Sequence, residues 1–158
     1  MAIVVVGGIF SAIEANKRLT TCPWEMDAAF ALRELGNVEL AYRDFNLDNR
    51  YATLDGLKAH DFIKDVPENR IVPNYRMDVT PGETKDGNTF FVIRIFPLSR
   101  SRPCRTFQIG PERKIMEFIP RLNTDPHRSE NWIESKDIER ALPERKHMPW
   151  MGENYPYS

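Results

Sequence analysis

The stretch Ile71–Phe96, IVPNYRMDVTPGETKDGNTFFVIRIF, decides the fold class. Its arms, Ile71–Val79 and Thr89–Phe96, are rich in β-branched and aromatic residues, and Thr80–Asn88 between them is dense in Pro, Gly, Asp and Asn. Proline presets the backbone angle of a turn, glycine supplies positive φ, and Asx side chains bond their own backbone. Two strand-forming runs around such a segment predict an antiparallel β-hairpin. Phe90–Ile93 is apolar without alternation, which places the second arm inside a sheet rather than at its edge.

Toward the N-terminus, Thr53 is placed to cap a helix running to about Lys64, with Pro67 closing that region. Val38–Phe45 alternates and reads as a strand. Cys22-Pro23 opens a helix whose Trp24, Ala28, Ala31, Leu32 and Leu35 share a face, with Gly36 as its left-handed terminator. Ala2–Val6 reads as a buried strand, Gly7-Gly8 as a turn and Phe10–Leu19 as a helix. Downstream, Arg105–Ile109 is a further strand, and Gly110-Pro111 starts a short helix that Pro120 ends. Pro126, Pro143, Pro149 and Pro156 then interrupt the chain, leaving room for one helix over 130–142, capped by Ser129. The expected fold is α+β (mixed α/β), with a mixed or mainly antiparallel sheet of about five strands and three or four helices. Residues 1–122 form the globular domain in this reading, and 123–158 a C-terminal extension ending in a Pro- and aromatic-rich tail.

With 158 residues, 41% hydrophobic and 28% charged, the chain holds enough apolar material for one core without a disulfide or structural metal. Cys22 and Cys104 form no CxxC pair and fit a reducing compartment, or two buried small hydrophobes, better than a disulfide framework. The apolar Met1–Ile13 segment is shorter than the roughly 20 residues of a membrane span, and it lacks the basic start of a secretory signal. These features predict no membrane association and a location in the cytoplasm or within a large intracellular or viral assembly, not secretion. Charge is segregated: residues 1–69 carry seven basic and eleven acidic side chains, 70–128 eleven and six, and 129–158 four and six. Segregation of this kind makes complementary faces for partner subunits, or one basic face for an acidic partner.

Motifs narrow the function by failing. The strand-turn-helix pattern of VVVGGIFSAI lacks the second and third glycines of a dinucleotide fingerprint, because Ile9 and Ala12, or Phe10 and Ile13, stand there. Asp44 to Asp55 has the length of an EF-hand loop, but Ala52 fills the ninth position and the shorter Asp55 replaces the bidentate Glu. His60, His127 and His147 have no ligand spacing. No cofactor and no metal are expected.

Three residue sets remain. Cys22 at a helix start feels the positive helix end, which favours a thiolate. Thr21-Cys22-Pro23-Trp24 resembles the Cys-Pro-aromatic start of thioredoxin-like and glutaredoxin proteins, and Val72-Pro73 resembles their Val-Pro step. That resemblance implies a thiol-dependent activity with Cys22 as nucleophile and a cis Pro73 shaping the site, although Glu25 occupies the resolving-cysteine position. Arg100, Arg102 and Arg105, with Arg94 and neighbouring Phe96 and Phe107, suit phosphate contacts and base stacking, hence nucleic-acid binding. Trp150, Met151, Tyr155 and Tyr157 beside prolines lack core periodicity and suit anchoring in a partner's grooves. With no intact catalytic motif, the leading expectation is a non-enzymatic structural or accessory subunit that binds other protein subunits through its tail and its segregated charge.

Overall fold

A computed structural model describes residues 22–99, 103–119 and 131–156. The strand and helix expected over residues 2–19 lie outside these residues. Within them the chain is an α+β fold of four helices and a five-stranded antiparallel sheet: α1 Glu25–Phe45, α2 Leu54–Ala59, α3 Glu68–Ile71, β1 Tyr75–Glu83, β2 Thr89–Pro97, β3 Phe107–Ile109, β4 Met116–Phe118, β5 Trp132–Glu134 and α4 Lys136–Ala141. Each strand pairs with the next in sequence, in the order β1-β2-β3-β4-β5.

The hairpin organises this sheet. β1 and β2 pair from Tyr75↔Pro97 to Glu83↔Thr89. At the tip, Gly87 takes φ +82°, its N–H donates to Thr84 O at 3.0 Å, and the Asn88 N–H donates to Thr84 Oγ1 at 3.1 Å. β2 then pairs with β3 through Ile93↔Ile109 and Ile95↔Phe107. Phe91, Ile93, Ile95, Phe107 and Ile109 therefore point to one face, and all are buried there. Burying such side chains stabilises a fold by about 1.5–3 kcal/mol each relative to exposure, so this face is the core's main driving term.

α1 covers that face. Gly36 does not end the helix; the helix runs on to Phe45, and the strand expected over Val38–Phe45 is its second half. The helix passes so close to β3 that a Cβ on Gly36 would sit 3.0 Å from Ile109 Cδ1. Gly36 thus trades helix propensity for close helix–sheet packing. Leu35, Val38, Glu39 and Tyr42 are all buried, which is the i, i+3, i+4, i+7 spacing of one helical face. The Thr53 cap is present, with Oγ1 accepting from Gly56 N at 3.2 Å, but the helix it starts ends at Ala59.

Two C-terminal expectations are corrected. Gly110-Pro111 begins a turn, closed by the Arg113 N–H to Gly110 O at 3.0 Å, and strand β4 follows in place of a helix. The helix expected over 130–142 is strand β5 followed by the short α4, because Trp132 and Phe118 pair across the sheet before the chain turns. Ser129 lies outside the described residues.

The tail folds back in cis. β5 joins the sheet, and Ile138, Trp150, Met151 and Tyr155 belong to the same buried cluster as α1. Residues 142–156 form a strap across α1. Arg33 Nη2 donates to Pro143 O at 2.8 Å, Arg145 lies 3.7 Å from Glu34, and Arg145 Nη2 donates to the Tyr155 hydroxyl at 2.7 Å. Lys64 N–H donates to Trp150 O and Gly152 N–H to Phe62 O, both at 2.9 Å, flanking an Ile63↔Met151 bridge.

The outer rim of β1 is also occupied. The Met77 N–H donates to Glu68 Oε1, away from β2, and Pro81, four residues on and therefore of the same outward parity, has no N–H.

Candidate functional site

The densest polar constellation gathers around Arg105. It begins with two cysteines that the sequence reading left unpaired: Cys22 and Cys104 are joined by a disulfide. Their separation of 82 residues concealed the pair; the hairpin brings them together by returning the chain to the start of α1. The bond ties Cys22, three residues ahead of α1, to the residue before Arg105, so Glu25, in the first turn of the helix, faces that arginine.

Glu25 accepts twice from Arg105, from the backbone N–H at 2.7 Å and from Nε at 3.1 Å. Nη1 donates to Glu117 Oε2 at 2.8 Å and to Asp137 Oδ2 at 2.9 Å. The Ser135 hydroxyl donates to Asp137 Oδ1 at 3.1 Å, and Tyr75 OH donates to the Arg105 carbonyl at 3.1 Å. The Arg105 guanidinium thus joins α1, β4 and the start of α4 just ahead of β3, and its carbonyl adds β1. The Arg105 side chain is 13% exposed and Glu25 1%, so this is an ion cluster held mostly out of water. Formally it carries three carboxylates to one cation.

The electrostatics follow from that count. Burial alone would lower the Arg105 pKa, but hydrogen bonds to Glu117 and Glu25 and the charges of Glu25 and Asp137 overcome it and push it above the ordinary value. Burial would raise Asp137, whereas the charge and hydrogen bond of Arg105, with Ser135 and the Ile138 N–H, hold it below the usual carboxylate range. Burial raises Tyr75, reinforced by the negative charge of Glu25. A guanidinium held in this way is a clamp: Nε and Nη1 are committed to fixed carboxylates, Nη2 lies 3.1 Å from Glu25 Oε2 without a hydrogen bond, and the Ser135 hydroxyl is tied to Asp137.

A second buried carboxyl lies on the same helix. Glu39 is inaccessible; its Oε2 accepts the Ala52 N–H at 3.0 Å while Oε1 has no partner. Burial pushes its pKa up to about 8, and the Ala52 hydrogen bond opposes this only in part.

The residues singled out in the sequence do not converge. Cys22 has no free thiol, and the Val72–Pro73 peptide is trans, so neither feature implied by the thioredoxin-like resemblance is present. Arg105 is enclosed in the cluster rather than offered to phosphate, and Arg94 stands over the Trp132 ring and donates to Gln108 Oε1 at 3.0 Å. Arg100, Arg102 and Tyr157 lie outside the described residues. Trp150, Met151 and Tyr155 are buried within the chain itself. The Asp44–Asp55 loop follows a helix, not the expected strand, yet among the described residues no group of three or more His, Cys, Asp or Glu is placed to hold a metal. Also among the described residues, no helix is long and apolar enough to cross a membrane. Glu117, Asp137 and Glu39 were missed, since a lone carboxylate in sequence gives no sign of the partner it will meet.

No family model matches the chain, and neither a curated protein nor a solved structure matches it.

Proposed function

We propose that this chain is a non-enzymatic subunit of a larger protein assembly, docking through the outer face of its sheet. One observation carries this reading. The face opposite α1 carries half-buried Phe90, Val92 and Phe96 from β2 and Met116 and Phe118 from β4, beside a buried Trp132 of β5, while the helices pack on the other side. Polar residues on that face include Arg76, stacked 4.6 Å over Phe96, and Arg94, stacked over Trp132, with Asp78, Thr80, Gln108 and Glu134 on the same side by register. Aromatics with arginine at the centre and charge at the rim are the composition of protein interfaces rather than of solvated sheet faces. With Trp150, Met151 and Tyr155 committed in cis, the sheet face replaces the tail as the docking element. The Arg105 cluster, with Nε and Nη1 bound to fixed carboxylates, supports a scaffold rather than a reaction centre.

The Cys22–Cys104 bond supports an oxidising compartment, in place of the reducing one expected from two unpaired thiols.

The test is solution mass by light scattering, and by co-purification from the source, for the wild type and for Val92→Lys/Phe96→Glu. Association that disappears in the variant while its circular dichroism is unchanged supports the reading. Association identical in both proteins overturns it.

A further inference from the structure

A groove of about 420 Å³ runs between α1, the residues around α3 and the C-terminal strap, separate from both the Arg105 cluster and the outer sheet face. Its bed is apolar: Met26 and Phe30 from α1, Ile71 at the end of α3, and Met148 and Trp150 from the strap. That volume falls within the range of small-molecule sites, which are mostly apolar with a few placed polar groups.

The polar groups are mainly donors. Arg70 and Lys146 line the groove, and among the described residues neither is ion-paired with a carboxylate. Lys146 Nζ rests 5.2 Å from the centroid of the Phe30 ring, and Arg33 lies over the same ring at 4.8 Å. Trp150 is 3% exposed, and its indole N–H is a buried donor without an acceptor. Buried polar groups are nearly always hydrogen-bonded, which makes this donor an exception, and Trp150 itself lines the groove. The acidic group among the lining residues is Asp27, one carboxylate against two cations.

We propose that this groove binds a small amphipathic carboxylate, with its apolar body on Phe30, Ile71 and Met148 and its head group between Arg70 and Lys146. Cations beside an apolar bed select an anion with a hydrocarbon body over either a free anion or a neutral hydrocarbon. This site does not depend on the docking role of the sheet face.

Decanoate and its alcohol, decanol, are the probes, titrated into the full chain at physiological salt while the Trp150 indole N–H is followed by NMR. Trp150→Phe assigns the resonance. Decanoate is expected to shift it saturably in the millimolar range or below and to leave the Trp132 indole in place. Replacing either cation, Arg70→Gln or Lys146→Gln, should weaken decanoate by about fivefold, the scale of a partly exposed ion pair. Both variants should melt with the wild type, since these side chains hold no ion pair in the fold. Decanol binding as tightly as decanoate, no saturable shift of Trp150, or an unchanged affinity in the double variant would overturn the assignment.

Discussion

Glu39 offers the sharpest perturbation, because one carboxyl is buried with half of its hydrogen-bonding capacity unused. Burial lifts its pKa from 4.5 to about 8 in the folded chain. A raised folded pKa means that the native state holds a proton the unfolded chain has released. The stability linked to that proton is fully present below about pH 4.5 and is lost as the pH rises through 8. At 1.36 kcal/mol per pKa unit the whole span corresponds to about 5 kcal/mol, a large part of an ordinary domain's stability of about 5–15 kcal/mol. Glu39→Gln keeps an oxygen for the Ala52 N–H and cannot ionise. Urea unfolding from pH 5 to pH 9 is the assay. The variant is expected to match the wild type near pH 5 and to exceed it by several kcal/mol at pH 9. Parallel stability profiles for the two proteins, or a Glu39 carboxyl that titrates near 4.5 by carbon NMR, would refute the reasoning.

Three further outcomes follow from the geometry. Reducing the Cys22–Cys104 bond, or replacing both residues by Ser, reopens a loop of 82 residues and should cost about 4–5 kcal/mol by chain entropy, read as a lower urea midpoint in reductant. Gly152→Ala places a Cβ 2.0 Å from the Asp61 carbonyl oxygen; it should destabilise by about 3 kcal/mol or more and raise hydrogen exchange at Lys64, Gly152 and Asn154, whose amides hold the strap. Arg105→Met leaves Glu25, Glu117 and Asp137 facing one another and should cost about 3–5 kcal/mol near neutral pH. Because Asp137 is held below its usual pKa by this arginine, the wild type's advantage is present above about pH 4 and shrinks as the pH falls through the folded value.

The hairpin was legible in the sequence because its information is local: the turn residues Thr84 to Asn88 and the apolar run from Phe90 lie within a few positions of one another, although Pro81, Gly82 and Glu83, read as turn, continue β1. The Thr53 cap was legible for the same reason. Gly36 misled, since glycine in a helical pattern signals either a terminator or a close approach, and Ile109, 73 positions away, decides between them. Once the helix was ended at Gly36, the alternation of Val38, Leu40 and Tyr42 looked like a strand. The helical spacing of Leu35, Val38, Glu39 and Tyr42 was the contrary signal. Trp150, Met151 and Tyr155 looked like free anchors because a strap crossing a helix has no period of its own. The Arg105 cluster was out of reach in principle: its carboxylates stand 80, 12 and 32 positions from the arginine, and only the completed sheet brings them together.

The occupied rim of β1 bears on how copies of the chain can meet. A nine-residue outer strand is ordinarily the place where an identical strand adds on and growth continues without limit. Here Glu68 already holds the Met77 amide and Pro81 has none to give, so the ladder would break twice within four residues. The rim of β1 is thereby a poor template for an added strand, and unlimited edge-to-edge growth along it is blocked.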